Sequence, residues 1–289
     1  MRMPKIAIVT DSTADLDPGL AREKGISVIP LNLHFEDEVY KDGIDLDQKT
    51  FFTKLEAAQV PPRTSQPSPG EFHELYLSLL ASGFTGIISI HISRELSGTW
   101  QSATIARSML PQEDIWVVDS KSASMGLGLI VLNTWDKVAA GADGEKGAAY
   151  AAWLSGQQKI MFGVDTLEYL HRNGRIGRAA KLIGGFLNIK PVLTVDADGF
   201  VAPQGKVRGG NKFIPYLLEG AQEFVRGYAG NVDLAVIHTL DHQLGTELLN
   251  RIAARIPVRT TYIRDIGSVI GTHTGPGTIG FILQKLDLP

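Results

Sequence analysis

The residues best suited to chemistry fall in four polar stretches, each set beside an apolar run. Thr10-Asp11-Ser12-Thr13 directly follows Ile6-Ala7-Ile8-Val9. Ligands of open α/β sheets meet the chain at the carboxyl ends of strands, so Asp11 and Ser12 could form a supporting polar loop. The same side chains also serve to satisfy turn and helix N–H groups. Thr64-Ser65-Gln66-Pro67-Ser68 lies on a proline-stiffened segment, where hydroxyls lose little entropy on binding a ligand. Ser68 is accounted for by a capping box with Glu71, which leaves Thr64 and Ser65 as the candidates. Ser97-Gly98-Thr99 opens a helix after a strand. Free N–H groups and the helix dipole there suit an anion, although Ser97 also suits a plain N-cap. His273 lies between Thr272 and Thr274 in a glycine-rich loop and could donate to a carboxylate.

Other chemistries find less support. Gly275 to Gly280 spell G-x-G-x-x-G, but too little chain follows for the βαβ unit and its acidic residue, and Pro276 sits inside the motif. GxxxxGK[ST], HExxH and the G-x-S-x-G elbow are all missing from the sequence. His238 and His242 are four apart at a strand-to-helix junction, where one shared face is not assured. No metal and no cofactor are therefore expected. The chain has no cysteine, which removes disulfides, thiolate nucleophiles and Cys-based zinc sites. Lys plus Arg is 28 against 31 for Asp plus Glu, a net charge of −3 without a basic block, so nucleic acid is not an expected partner. The first apolar run is too short for a signal-peptide core, and no stretch is long enough to span a bilayer. A cytoplasmic protein without a transmembrane segment is expected, with transient contact at a membrane surface left open.

These side chains must be positioned by a chain of 289 residues, long enough for two domains. In the first half, short apolar runs at residues 5–9, 26–35, 86–92 and 115–118 alternate with helix-period segments, the pattern of βαβ units and a parallel sheet. Residues 60–67, rich in proline, read as irregular. After residue 158 the pattern changes. Asp196-Ala197-Asp198-Gly199 between two apolar runs signals a hairpin, and helices near 211–226 and 243–255 alternate with strands near 234–237 and 259–263. The expected fold is α/β: an N-terminal three-layer α/β/α, Rossmann-like domain with a parallel sheet over 1–158, then an α+β domain with a mixed sheet over 159–289.

The polar stretches, with Ile92-Ser93-Arg94-Glu95-Leu96-Ser97-Gly98-Thr99, Val118-Asp119-Ser120-Lys121, Asn173-Gly174-Arg175-Ile176, Lys190-Pro191-Val192-Leu193 and His273-Thr274-Gly275, resemble the DegV family in order along nearly the whole chain. The resemblance implies a long-chain fatty acid held in a buried tunnel between two α/β domains. It also implies a carrier without its own catalysis, which presents the carboxylate to a separate ATP-using fatty acid kinase subunit for acyl-phosphate formation in bacterial phospholipid synthesis. Carried over by position, the carboxylate ligands are Thr64, Ser65, Ser97, Gly98 and His273. Arg208 falls where the family places an arginine tied to the kinase partner. Two other classes stay open: a serine hydrolase using Ser97, His273 and an acid such as Asp11, and a nucleotide-binding regulator built on the Asp11 loop.

Overall fold

A computed structural model describes residues 5–183 and 189–287; residues 1–4, considered above for targeting, lie outside these. The strands in chain order are β1 Ile6–Asp11, β2 Ser27–Ile29, β3 Asn32–Phe35, β4 Glu38–Lys41, β5 Arg63–Ser65, β6 Gly86–His91 and β7 Ile115–Asp119. They continue as β8 Gln158–Gly163, β9 Ile189–Val195, β10 Val201–Arg208, β11 Val232–His238, β12 Thr260–Asp265 and β13 Ile279–Lys285. Continuous apolar runs such as those of β1 and β6 suit strands covered on both faces, and these two pair in parallel at the centre of a four-stranded sheet, β2-β1-β6-β7. Strands from residue 158 onward form a six-stranded mixed sheet, β10-β9-β8-β13-β11-β12, in which only β11 and β12 run parallel. The α/β class, with one parallel and one mixed sheet, is as the sequence pattern predicts. The hairpin is also present, with Val201 opposite Val195 across the Asp196–Gly199 turn.

Three features differ from expectation. Residues 26–35 are not one strand. Pro30 has no N–H to give a ladder, and the chain leaves β2 there to enter β3 of a separate antiparallel sheet, β4-β3-β5. The proline-rich segment is not wholly irregular, because beyond Pro61-Pro62 the donors of Arg63–Ser65 are free to pair with β3. The glycine-rich stretch near the end is not all loop: Ser268–Thr274 is helical, so His273 is a helix residue. Gly271 lies within that helix because the rings of Phe51 and Phe52 pack against it, and an added Cβ would come within 2.8 Å of Phe52.

The helix Met125–Ala139 joins the layers. Every residue from Met125 to Thr134 is buried, as expected for a helix that is apolar on all sides. It packs on β1 and β6 with one face and on β11 and β13 with the other. One apolar cluster consequently runs from Ile8 and Ile88, through Leu127 and Ile130, to Ile160, Ala235 and Ile282. Separate clusters cover the outer faces of the two large sheets. A fourth joins the small sheet, the helix Gln48–Ala57 and Val269. The helix is also tied by polar atoms: the Arg259 guanidinium donates to both Asp233 oxygens, at 2.9 and 2.6 Å, and to Asn133 Oδ1 at 2.7 Å.

Candidate functional site

The parallel strands β6 and β7 end at His91 and Asp119, and the chain after each turns over the inner face of the six-stranded sheet. A cavity of about 830 Å3, counting its mouth, lies between them. Its walls are apolar: Ile92 and Leu96 come from above, and Val195, Phe162, Ile282 and Ile237 from the sheet face. That inner face follows from strand alternation, since Ile160 and Phe162 point inward while Met161 belongs to the outer cluster.

Polar side chains gather at one part of the wall: Thr64, Gln66, Ser97, Arg175 and His273. Thr64 Oγ1 lies 2.9 Å from His273 Nε2. Burial, with the Arg175 charge adding to it, pushes the His273 pKa down to about 3, so the imidazole is neutral at neutral pH. His273 Nδ1 is buried and has no hydrogen-bond partner. The Ser97 hydroxyl lies 2.8 Å from Thr99 Oγ1, and the Gln66 amide packs against Gly98, where a Cβ would stand 2.9 Å from Gln66 Nε2. Gly98 is the N-cap of the helix Thr99–Ser108 and carries no side-chain cap. Arg175 is held from behind, with Nε donating to the Leu96 carbonyl at 3.1 Å and Nη1 to that of Asn173 at 2.8 Å.

The structure thus brings together Thr64, Ser97, Gly98 and His273. Ser65 is placed differently. It is the neighbour of Thr64 on a strand, so its side chain leaves by the opposite face and meets His34 Nε2 at 2.8 Å and Asn32 Nδ2 at 3.2 Å. Its hydroxyl is not on the cavity. Arg208 is exposed at the far end of β10, seven residues along the strand from the cavity-lining Val201. Asp11 is fully buried and spent on the fold: one oxygen accepts from Thr13, the other from Ile92 N at 3.1 Å and stands 2.9 Å from His91 Nδ1. It supports the cavity only from behind, through Ile92. Ser12 accepts from Leu31 N at 3.1 Å. Neither Arg175 nor Gln66 stands out by type or spacing in the sequence, although both sit in the stretches that carry the family resemblance.

A hydrolase would need Ser97, His273 and Asp11 in one line, and Asp11 is engaged elsewhere. A different serine–histidine–aspartate line does exist: Ser89 Oγ is 2.6 Å from His91 Nε2, His91 meets Asp11, and the Tyr76 hydroxyl donates to Ser89 at 2.8 Å. All four side chains are fully buried. Among the described residues no group of three or more His, Asp or Glu could hold a metal ion, and no helix is long and apolar enough to cross a membrane.

A family model described as "Uncharacterised protein, DegV family" matches residues 5–286. The chain belongs to the DegV family. A DegV domain-containing protein of Deinococcus radiodurans is 37% identical over 286 residues, covering 97% of this chain and 99% of the relative. Among solved structures, a DegV family protein from Thermus thermophilus, described as binding fatty acid, superposes with a TM-score of 0.92 at 35% identity, covering 98% of this chain and all of the other. DegV of Bacillus subtilis, described as a fatty acid binding protein, gives 0.88 at 31% identity, with 98% and 99% covered. A stearic acid-binding protein from Eubacterium ventriosum gives 0.89 at 27% identity, with 97% and 98% covered.

Proposed function

We propose that this DegV protein binds a long-chain fatty acid in the cavity, with the carboxylate at Thr64, Ser97, Gly98 and His273 and the acyl chain along the apolar sheet face. The observation that carries this reading is the cavity itself: apolar walls and one polar cluster containing a neutral, buried histidine with an unpaired ring nitrogen. A carboxylate taking a hydrogen bond from His273 Nδ1–H would set the tautomer in which Nε2 accepts from the Thr64 hydroxyl. Each such neutral bond contributes about 1 kcal/mol net. The chain supplies more, since each buried methylene gives about 0.8 kcal/mol and fourteen give roughly 11 kcal/mol before association costs. Solved DegV relatives described as fatty acid binders support the same ligand class. We extend the proposal to two domains meeting near residues 158/159, because the strands of the two large sheets divide there.

The finer role is a carrier that holds the acyl chain while a separate ATP-using kinase subunit phosphorylates the carboxylate, with exposed Arg208 as a partner contact. Position and desolvation would be this protein's share, and phosphate chemistry the partner's. Native mass spectrometry of the purified protein, with denaturing extraction, is expected to find one fatty acid per chain. An apo mass that persists after incubation with C14 to C18 acids would remove the proposal. Ser97→Ala should weaken fatty acid binding by roughly five- to tenfold, the cost of one hydrogen bond.

A further inference from the structure

The short helix Ser268–Thr274 cannot cap its own start. Its N-cap is Gly267, which has no side chain to offer. Two carboxyls from far along the chain stand there instead. Gly267 N donates to Asp15 Oδ1 at 3.1 Å, and the N–H groups of Ser268 and Val269 face the carboxylate of Asp42. Gly267 must stay bare for this, because an added Cβ would stand 2.5 Å from Asp15 Oδ1. Asp15 and Asp42 are both buried. Asp15 is itself held firmly: the Ser124 hydroxyl donates to Oδ2, Arg264 Nε donates to its carbonyl at 3.3 Å, and its backbone is left-handed at φ 51°, ψ 31°. Such conformations persist where the surroundings over-determine them, and they gather at functional sites.

Both members of the His273–Thr64 pair are referred back to these carboxyls. His273 is five residues beyond Ser268, about 7.5 Å along the helix at about 1.5 Å per residue. A helix of two turns is stiff over that length, so a shift at its start reaches the imidazole. Thr64 lies opposite Leu33 in the β3–β5 pair. The chain enters β3 through Leu31, whose N–H donates to Ser12 Oγ at 3.1 Å and whose carbonyl accepts from Asp42 N at 2.9 Å. The Ser12 hydroxyl in turn faces the Asp42 carboxylate. The polar contacts therefore close a ring: from Asp15 along the helix to His273, across to Thr64, and back through β3 and Asp42 to the loop that holds Ser12 and Asp15.

We propose that Asp15, with Asp42 beside it, is a positioning residue for the head-group cluster: it fixes where His273 stands relative to Thr64. This rests on the fatty acid function proposed above. Binding groups backed by a further layer of hydrogen bonds keep their geometry to about 0.5 Å, and loosening that layer weakens the contacts they make. Asp15→Gly removes the carboxyl without straining the positive φ. Asp15→Asn is the conservative change. Burial pushes the Asp15 pKa up to about 8, so at pH 7 the carboxyl is neutral, and asparagine matches it in shape, charge and tolerance of the left-handed region.

The test is a double-mutant cycle on palmitate binding at pH 7, using the wild type, Asp15→Gly, His273→Ala and the two combined, with folding checked by thermal melting. Asp15→Gly is expected to weaken binding roughly fivefold, the worth of one hydrogen bond, but by less than about 1.5-fold when His273 is already alanine. Asp15→Asn should bind within about twofold of the wild type. Equal losses in both backgrounds, or an asparagine variant as weak as the glycine one, overturn the positioning role alone. A wild type that binds no palmitate overturns the fatty acid function and this inference with it. A His273→Ala protein that binds as tightly as the wild type overturns the head-group assignment, and again this inference with it. The ring nitrogen resonances of His273 test the role without a disruptive variant. Raising the pH through 8 ionises Asp15; of the charged groups facing it, Asp42 is raised only to about 6 and Arg264 stays charged, as does Arg175 beside His273. The resonances are expected to move with a midpoint near pH 8 in the wild type and to stay still in Asp15→Asn. The same titration in both proteins, or none in either, overturns the role.

Discussion

At the scale of single residues, buried ionisable groups carry the clearest consequences. Burial pushes the Asp15 pKa up to about 8, with the Asp42 charge adding and the bonds from Ser124 and Gly267 opposing. Burial likewise raises Asp42 to about 6. In the unfolded chain both titrate near 4. Between roughly pH 4 and 8 the folded state therefore binds a proton at Asp15 that the unfolded state has released, and stability from this group falls as pH rises, by at most about 1.4 kcal/mol per unit. Asp15→Asn should remove that slope. In urea titrations at pH 5, 7 and 9, the variant's stability relative to the wild type should increase with pH, and a constant difference would contradict the raised pKa. The site was only partly legible at this scale. Thr64, Ser97 and His273 could be singled out by type and local setting. Their meeting could not, because Thr64 and His273 are 209 residues apart and no spacing rule reaches so far. Asp11 misled for a related reason: its partner His91 arrives from another strand and uses the carboxylate for the fold.

At the scale of elements, the short helix Ser268–Thr274 is the hinge of the arrangement. Its first turn meets Asp15 through Gly267, its middle packs on Phe51 and Phe52, and its end carries His273. Gly271→Val would force those two rings aside. An overpacked contact of this kind costs about 1–3 kcal/mol, and the displaced helix would carry His273 away from Thr64. Thermal melting should show the lost stability, and ligand affinity should fall with it; a fall in only one would separate packing from placement. The same helix shows why some elements escape a reading of periodicity. Three glycines and a proline over residues 271–277 outweigh two helical turns in pattern, and the packing that forces the helix comes from residues 51 and 52. Longer elements with strong patterns, such as the β9–β10 hairpin, are legible because their own residues decide them.

At the scale of the whole molecule, the two large sheets share one apolar cluster through the helix Met125–Ala139. Neither sheet can expose that helix without opening the core of the other, so a single cooperative unfolding transition is expected by calorimetry. The Arg259–Asp233–Asn133 bonds pin the helix to β11. Arg259→Met would leave the buried Asp233 carboxylate without its cation, at a cost of about 3–5 kcal/mol. The result should be a lower melting temperature with the single transition retained. Two separate transitions in the wild type would show that the shared cluster does not couple the sheets.

The line Tyr76–Ser89–His91–Asp11 has the spacing of a charge-relay nucleophile, yet it is sealed on every side. A geometric template for serine hydrolases would score it as a hit, while a fluorophosphonate warhead should leave Ser89 unlabelled in the folded protein. The protein is therefore a natural negative control for activity-based profiling: the catalytic geometry is present, and the path by which a reagent could arrive is not.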